Sequence, residues 1–344
     1  MRYIDLRSDS VTMPTPEMRR AMYETEVGYD VLDDDPAVHR LERMAAEMTG
    51  KEAAAFIPTG TMCNQLAIMC FTRPGEEIIL SADSHILDFE GGAAAALSGA
   101  MIRAVPTEDG ILRASHIRDC VRPADDIHAP RTGLVCMENA LGRGTVVPLE
   151  RMREVYETAS ELGIPVHTDG ARLFNAAAVL SVDIKEMAQY TDSLAVGLSK
   201  GLCAPVGSVL AGSRAFVAAA KKNRQKLGGG LSQAGVLAAP GMIALEKMTG
   251  RIAEDHENAR YMAELLDAIP DVTVDRDRAQ INLVFFRIDR EKEILEGLPD
   301  RMLEKGVKIG THTKGVFRFV THNDVSRADV EEAAAILREL LQAR

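Results

Sequence analysis

Short apolar runs, each bounded by a polar or glycine-containing break, recur along this chain. Glu77–Ser81, Ala100–Val105, Gly133–Met137, Ile164–His167, Leu194–Leu198 and Ser208–Ala211 are too short for helices and lack a polar face. They read as strands buried on both sides. Between them the period changes. Val38, Leu41, Met44, Ala45 and Met48 recur at helical spacing from Pro36 to the stop at Gly50. Leu149–Leu162 is amphipathic and ends at Gly163, and Glu17–Glu26, Gly91–Leu97, Ser115–Val121, Ser213–Lys226, Ser232–Met248 and Ile252–Ile269 also read as helices. Strands alternating with helices predict an α/β fold: a mostly parallel sheet flanked by helices. Past Gly250, Val272–Val274, Gln280–Ile288 and Gly315–Val320 alternate like half-buried strands, with helices over Glu291–Glu304 and Ser326–Leu341. This pattern predicts two domains, a large one over 1–248 and a smaller α+β one over 249–344.

In a parallel sheet, ligands gather at the carboxyl ends of the strands. His85, Glu138 with Asn139, Asp169 with Arg172, and Lys200 all lie just past predicted strands. Four polar sets on one sheet edge point to a single site. Taken one at a time, each has a bland reading. Lys200, in Ser199-Lys200-Gly201, is either a lysine that snorkels to the surface or a desolvated amine that forms a Schiff base with a carbonyl compound. On that stretch alone the first carries more weight. Thr59-Gly60-Thr61 before a helix from about Met62 is either an ordinary N-cap or a phosphate site. Arg318, between Phe317 and Phe319, is either a cap on its sheet or a carboxylate clamp.

The chain has 344 residues, 46% hydrophobic and 26% charged, as in ordinary globular proteins. Its net charge of −11 disfavours nucleic acid or an anionic membrane as a partner. The five cysteines, Cys63, Cys70, Cys120, Cys136 and Cys203, have no CxxC spacing and read as buried thiols in a reducing compartment. With no apolar signal core at the N-terminus and no uncharged window of membrane-spanning length, a cytoplasmic protein is expected. No GxGxxG follows a first strand, and Walker A and HExxH sequences are absent. His322 and Asn323 are too little for a metal site, and no metal is expected.

The polar sets share a chemical logic. Lys200 can hold an aldehyde as an imine, Asp169 can pair with a protonated ring nitrogen, and His85 can stack on a ring face. Gly60 and Thr61 can hold a phosphate, and Arg172 and Arg318 can fork onto a substrate carboxylate. Aldehyde, pyridinium and phosphate together describe pyridoxal 5'-phosphate.

The chain resembles the low-specificity L-threonine aldolases, pyridoxal-phosphate enzymes of the aspartate-aminotransferase fold (fold type I). The resemblance lies in Asp5-Leu-Arg-Ser-Asp-Ser-Val-Thr12, Pro58-Thr-Gly-Thr61, His85 with Gly91-Gly92, His167-Thr-Asp-Gly-Ala-Arg-Leu-Phe-Asn175, Leu198-Ser-Lys-Gly-Leu-Cys-Ala-Pro-Val-Gly-Ser208, Gly228-Gly-Gly-Leu-Ser-Gln-Ala-Gly235 and Arg318-Phe-Val-Thr-His322. It spans nearly the whole chain. It implies retro-aldol cleavage of L-threonine, L-allo-threonine and related β-hydroxy-α-amino acids to glycine and an aldehyde. Another pyridoxal-phosphate reaction on the same scaffold, β-elimination or racemisation, is the alternative.

The resemblance also implies roles. Lys200 carries the cofactor, Asp169 meets its ring nitrogen, and His85 stacks on the ring and is a candidate base. Gly60, Thr61, Arg172 and Ser199 belong to the cofactor site, and Ser8, Arg172 and Arg318 to the substrate carboxylate site. A homotetramer built as a dimer of dimers is expected. The family pattern is broken at three places. Leu141, in Glu138-Asn-Ala-Leu-Gly-Arg-Gly144, stands where the family has a histidine near the substrate side chain. Ser232 stands at an arginine, a cationic contact for which Arg143 or Lys222 are substitutes, and Leu32 and Asp33 stand at a tyrosine and a glycine. The first departure predicts an altered preference at Cβ.

Overall fold

The computed structural model describes residues 2–123 and 125–342. Its strands in chain order are β1 (Ile4–Asp5), β2 (Ala53–Ile57), β3 (Glu77–Ser81), β4 (Met101–Val105), β5 (Thr132–Glu138), β6 (Val166–Gly170), β7 (Ser193–Gly197), β8 (Ser208–Gly212), β9 (Val272–Val274), β10 (Leu283–Ile288), β11 (Val307–Lys308) and β12 (Val316–Val320). Seven of them form one sheet in the order β2-β8-β7-β6-β5-β3-β4. The pairs from β7 to β4 are all parallel, and β8 runs antiparallel to both β7 and β2. The α/β architecture expected from the alternation is therefore present. β3, β5, β6 and β7, the strands that precede His85, Glu138, Asp169 and Lys200, are consecutive in the sheet, so their carboxyl ends share one edge.

Apolar side chains explain why the sheet is covered on both faces. Val135, Val166, Leu194 and Val209 join Val38, Leu41 and Val155 in the largest core, while Ala55, Ile57, Ala195 and Leu210 pack with Cys63, Leu66 and Phe216. Alternate residues of one strand thus feed opposite layers. The helix Pro36–Thr49 begins with Asp35 accepting the N–H groups of Ala37 and Val38 and ends where Gly50 turns left-handed at φ 66°.

A separate three-stranded antiparallel sheet, β12-β10-β9, packs with helices Ile252–Asp267, Lys292–Glu304 and Arg327–Gln342 around Phe286, Phe317 and Phe319. Ile4 and Leu6 belong to this second core, and β1 pairs in parallel with β11. The N-terminal strand, grouped with residues 1–248 on the sequence, crosses to the other core.

Some elements differ from the pattern reading. The strand expected from Gln280 starts at Leu283, because Gln280 is drawn to a neighbouring loop: its N–H donates to Gly144 O (3.2 Å) and its Oε1 accepts from Val146 N–H (2.9 Å). The helix expected from Ser232 starts at Gly235, whose N–H is taken by Asp35 Oδ2 at 2.8 Å. It then widens into a π-turn over Ala244–Met248. Helices Leu173–Leu180 and Ile184–Ala188 occupy a stretch to which the periodicity assigns nothing.

Candidate active site

Lys200 follows β7 by three residues and opens a short 3-10 turn, Lys200–Leu202. Its φ of 62° is left-handed, a costly conformation for a side-chain-bearing residue that the surrounding structure must hold. Thr12 does so in part, donating its hydroxyl to Lys200 O at 2.6 Å. The Lys200 amine makes no ion pair or hydrogen bond among the described residues. Burial, and then the nearby Arg172 guanidinium, lower its pKa from the ordinary lysine value.

Asp169 is the fourth residue of β6 and is buried. Its Oδ1 accepts from Ala171 N–H (2.9 Å) and its Oδ2 from Asn64 Nδ2 (2.7 Å). Glu138, directly across on β5, is pushed up from the ordinary carboxyl pKa by burial and by Asp169. Its oxygens accept from His85 N–H (3.1 Å) and Gly142 N–H (2.7 Å).

His85 sits on a one-turn helix, His85–Asp88. Its Nδ1 lies 2.9 Å from Glu90 Oε1, and ligand atoms of His85, Glu90 and Asp169 all fall within 4.8 Å of one another. Glu90 is buried and also accepts from Asn64 Nδ2 (2.7 Å) and Gln65 Nε2 (2.6 Å). A carboxylate takes the proton side of an imidazole, so Nδ1 donates and Nε2 carries the free lone pair. The bond to Glu90 is the main cause of a raised His85 pKa; Asp169 adds to it, while burial and Lys200 oppose it.

Arg172 caps the helix Leu173–Leu180 and forks onto Asp9: Nε to Oδ2 and Nη2 to Oδ1, both 2.8 Å. Asp9 is fully buried, accepts a further bond from Asn282 Nδ2 (3.0 Å), and is held far below the usual carboxylate range against the cost of burial, chiefly by Arg172. Ser8 caps the short turn that carries Asp9, its Oγ accepting from Ser10 N–H at 3.1 Å. Arg318 lies on β12 opposite Phe285 and has no carboxylate partner among the described residues; its closest bond is to Arg7 O at 3.4 Å. Burial, then Arg172, lower its pKa.

The helix Gly60–Phe71 starts behind Thr59, whose hydroxyl accepts from Met62 N–H at 3.1 Å. Gly60 and Thr61 are the residues whose N–H groups such a start leaves without an intrahelical acceptor. A Cβ at Gly60 would lie 3.6 Å from Ser208 Oγ, so that hydroxyl borders the helix start. Ser199 caps the Lys200 turn without a side-chain bond to it.

Leu141 is buried in the loop after β5 and lines a narrow cleft with Ser81, Asp83, Ser84, Leu112 and Glu138. Arg143, in the same loop, has its Nη1 bonded to Asp83 Oδ2 (2.9 Å) and Glu108 O (3.0 Å). It is thus already engaged. Lys222 is exposed on the helix Arg214–Lys226, and Ser232 is exposed.

The sequence reading missed Asp9, Asn64, Glu90, Ser208 and Asn282 as members of this cluster. Their contacts are long-range: Asn64 reaches Asp169 across 105 residues and Asn282 reaches Asp9 across 273. No periodicity marks such pairs. The one usable signal was their neighbourhood, since Asp9 follows Ser8 and Glu90 precedes Gly91-Gly92.

The donor set matches the three functional parts of pyridoxal phosphate: an unpaired amine, a buried carboxylate beside a histidine face, and a helix start with a neighbouring hydroxyl. Comparisons with known proteins agree with this reading. Residues 5–289 match the family model described as "Beta-eliminating lyase". The chain is 42% identical over 340 residues to the "Low specificity L-threonine aldolase" of Escherichia coli (strain K12), covering 98% of this chain and 99% of that protein. It is 35% identical over 342 residues to the protein of the same name from Saccharomyces cerevisiae, covering 97% and 86%. Among solved structures, the threonine aldolase of Leishmania major superposes with a TM-score of 0.83 at 19% identity, covering 98% of this chain and 99% of that one, a likeness of fold.

Proposed function

The chain belongs to the beta-eliminating lyase family and, by its curated relatives, to the low-specificity L-threonine aldolases, and we propose that the cluster around Lys200 is where its reaction takes place. The protein is a pyridoxal-phosphate-dependent lyase that cleaves L-threonine and related β-hydroxy-α-amino acids to glycine and an aldehyde. The observation that carries the site assignment is an unpaired, partly buried Lys200 amine on the same sheet edge as the Asp169–Asn64–Glu90–His85 cluster.

Lys200 would bind the cofactor aldehyde, Asp169 would face the ring nitrogen, His85 the ring, and the Gly60 and Thr61 N–H groups with Ser208 the phosphate. Ser199, next to Lys200, would border the same cofactor site. When bound, the cofactor supplies an electron sink for the pair released from the Cα–Cβ bond. The remaining work falls to side chains. Arg318 takes the substrate carboxylate, aided by Arg172 Nη1, the terminal nitrogen that Asp9 leaves free, and by the Ser8 hydroxyl. His85 Nε2 removes the β-hydroxyl proton while Glu90 stabilises the imidazolium that forms. Asp169 keeps an anion beside the ring nitrogen, so positive charge persists there through the reaction. Burial lowers the Lys200 pKa, which keeps a larger share of its amine neutral and able to attack a carbonyl.

Leu141 gives the finer substrate reading. An apolar side chain at 141 favours β-hydroxy amino acids with a more apolar group at Cβ over threonine. Domains over 1–248 and 249–344 fit the second core in part: Ile4 and Leu6 cross into it, while Ile252, Ile281, Leu283, Phe285 and Val320 pack in the first. The exposed Tyr23, Val27, Tyr29 and Leu32 favour assembly of copies, and the resemblance makes that a homotetramer, a dimer of dimers. Five free thiols favour a cytoplasmic location; no described helix is long and apolar enough to cross a membrane.

The test is incubation of the purified protein and pyridoxal phosphate with threonine, allo-threonine, phenylserine and serine, measuring glycine, aldehyde and 2-oxo acid separately. Glycine with aldehyde is the expected result. A 2-oxo acid without glycine would move the reading to β-elimination.

A further inference from the structure

Asn64 lies one turn into the helix Gly60–Phe71 and is buried. Its Nδ2 is 2.7 Å from both Glu90 Oε1 and Asp169 Oδ2. Its Oδ1 lies 3.0 Å from His167 Nε2, and His167 Nδ1 lies 2.8 Å from Ser193 Oγ. His167 and Ser193 are fully buried ladder partners on β6 and β7, and His167 shares a face of β6 with Asp169, two residues on.

These contacts admit one arrangement of hydrogens. Two carboxylates face Nδ2, so the amide nitrogen must point at them, because a flipped amide would set its oxygen against two anions. Asn64 Oδ1 then accepts, so His167 Nε2 donates, Nδ1 carries the lone pair, and the Ser193 hydroxyl donates to it. His167 is neutral: burial lowers its pKa, although Asp169 and the Ser193 backbone act the other way. The line Ser193–His167–Asn64 therefore ends in two N–H groups of fixed direction.

We propose that Asn64 is a positioning residue for the reaction, locked by His167 and Ser193, that holds Asp169 and Glu90 as separate anions with one uncharged amide. This rests on the roles given above to Asp169 and His85. Two carboxylates this close repel and compete for any mobile proton. An amide offers each a hydrogen bond and carries no charge or mobile proton of its own, so it fixes both carboxylates in place: Asp169 for the ring nitrogen, Glu90 for His85 Nδ1. An aspartate at 64 would add a third anion, and a leucine would leave both carboxylates short of a donor.

The test uses Asn64→Leu, His167→Leu and His167→Gln, the last keeping an N–H where Nε2 stands. In the full-length holoenzyme, Asn64→Leu and His167→Leu should lower kcat for threonine about 10- to 100-fold with little change in KM, the scale seen when a partner that orients a functional group is lost. His167→Gln should recover most of the loss. Independently of turnover, 15N NMR of the wild-type protein should show His167 as the Nε2–H tautomer, without titration between about pH 5 and 9. An Nδ1–H tautomer, titration in that range, or equal kcat in the Leu and Gln variants at 167 would overturn the proposal. Should wild-type protein yield no glycine from the substrate panel, the assigned reaction fails, while the NMR result still decides whether the Asn64 lock exists.

Discussion

Arg172 is joined to Asp9 by two parallel N–H···O bonds of 2.8 Å across 163 residues of chain. Both side chains are largely buried, at 10% and 1% exposure. The guanidinium therefore has one terminal nitrogen left, and the proposed site makes Arg318, which has no carboxylate partner among the described residues, its main clamp for substrate. This changes the balance expected from sequence, where the two arginines stood as equals.

Arg318→Ala should raise KM for threonine while cofactor affinity holds. Loss of a hydrogen-bonded charge pair of about 1.5–3 kcal/mol corresponds to a rise of roughly 10- to 150-fold. Asp9→Asn should instead lower stability by about 3–5 kcal/mol, since it strands a buried guanidinium. Thermal melting set beside KM separates the two. Parallel loss of cofactor and substrate affinity in Arg318→Ala would make that arginine structural.

Borohydride reduction of the cofactor-loaded protein should fix the label on Lys200 alone. The expectation follows from a lysine with no partner among the described residues and a left-handed φ of 62° at the sheet edge. Peptide mapping reads the position. A label on Lys51, Lys222 or any other lysine would break the assignment, and Lys200→Ala should bind no cofactor covalently.

Glu90→Gln should move the pH dependence of kcat/KM to lower pH. Glu90 raises the His85 pKa, and the base must be neutral to accept the hydroxyl proton, so activity climbs as pH rises through that raised value. Removing the anion brings the pKa back toward the ordinary histidine value. Asp169 and Lys200, which also act on His85, are unchanged in this variant. A pH–rate profile gives the answer, and an unmoved limb would remove His85 as the base.

Leu141→His should shift the ratio of kcat/KM values for phenylserine and threonine toward threonine. A leucine wall favours added apolar groups by about 1–3 kcal/mol, and a histidine offers a hydrogen bond instead. The loop that holds Leu141 is anchored by Gly142 N–H on Glu138 and by Arg143 on Asp83, so the exchanged side chain should occupy the same wall. Unchanged ratios would clear Leu141 of any part in specificity.

The sequence by itself determined the layered α/β pattern and the sheet edge shared by His85, Glu138, Asp169 and Lys200. Apolar runs such as Leu194–Leu198 are legible because burial on both faces demands continuous hydrophobicity. Lys200, Asp169 and His85 are legible because polar groups at strand ends interrupt it. What only the tertiary structure decided is who partners whom. Asp9 claims Arg172, Asn64 bridges Asp169 and Glu90, and Gln280 leaves its expected strand for the Leu141 loop. β1 likewise crosses to pair with β11. These pairings depend on groups brought together from distant parts of the chain, where a buried charge or amide must find its complement. Local periodicity reports burial and carries no record of that partner.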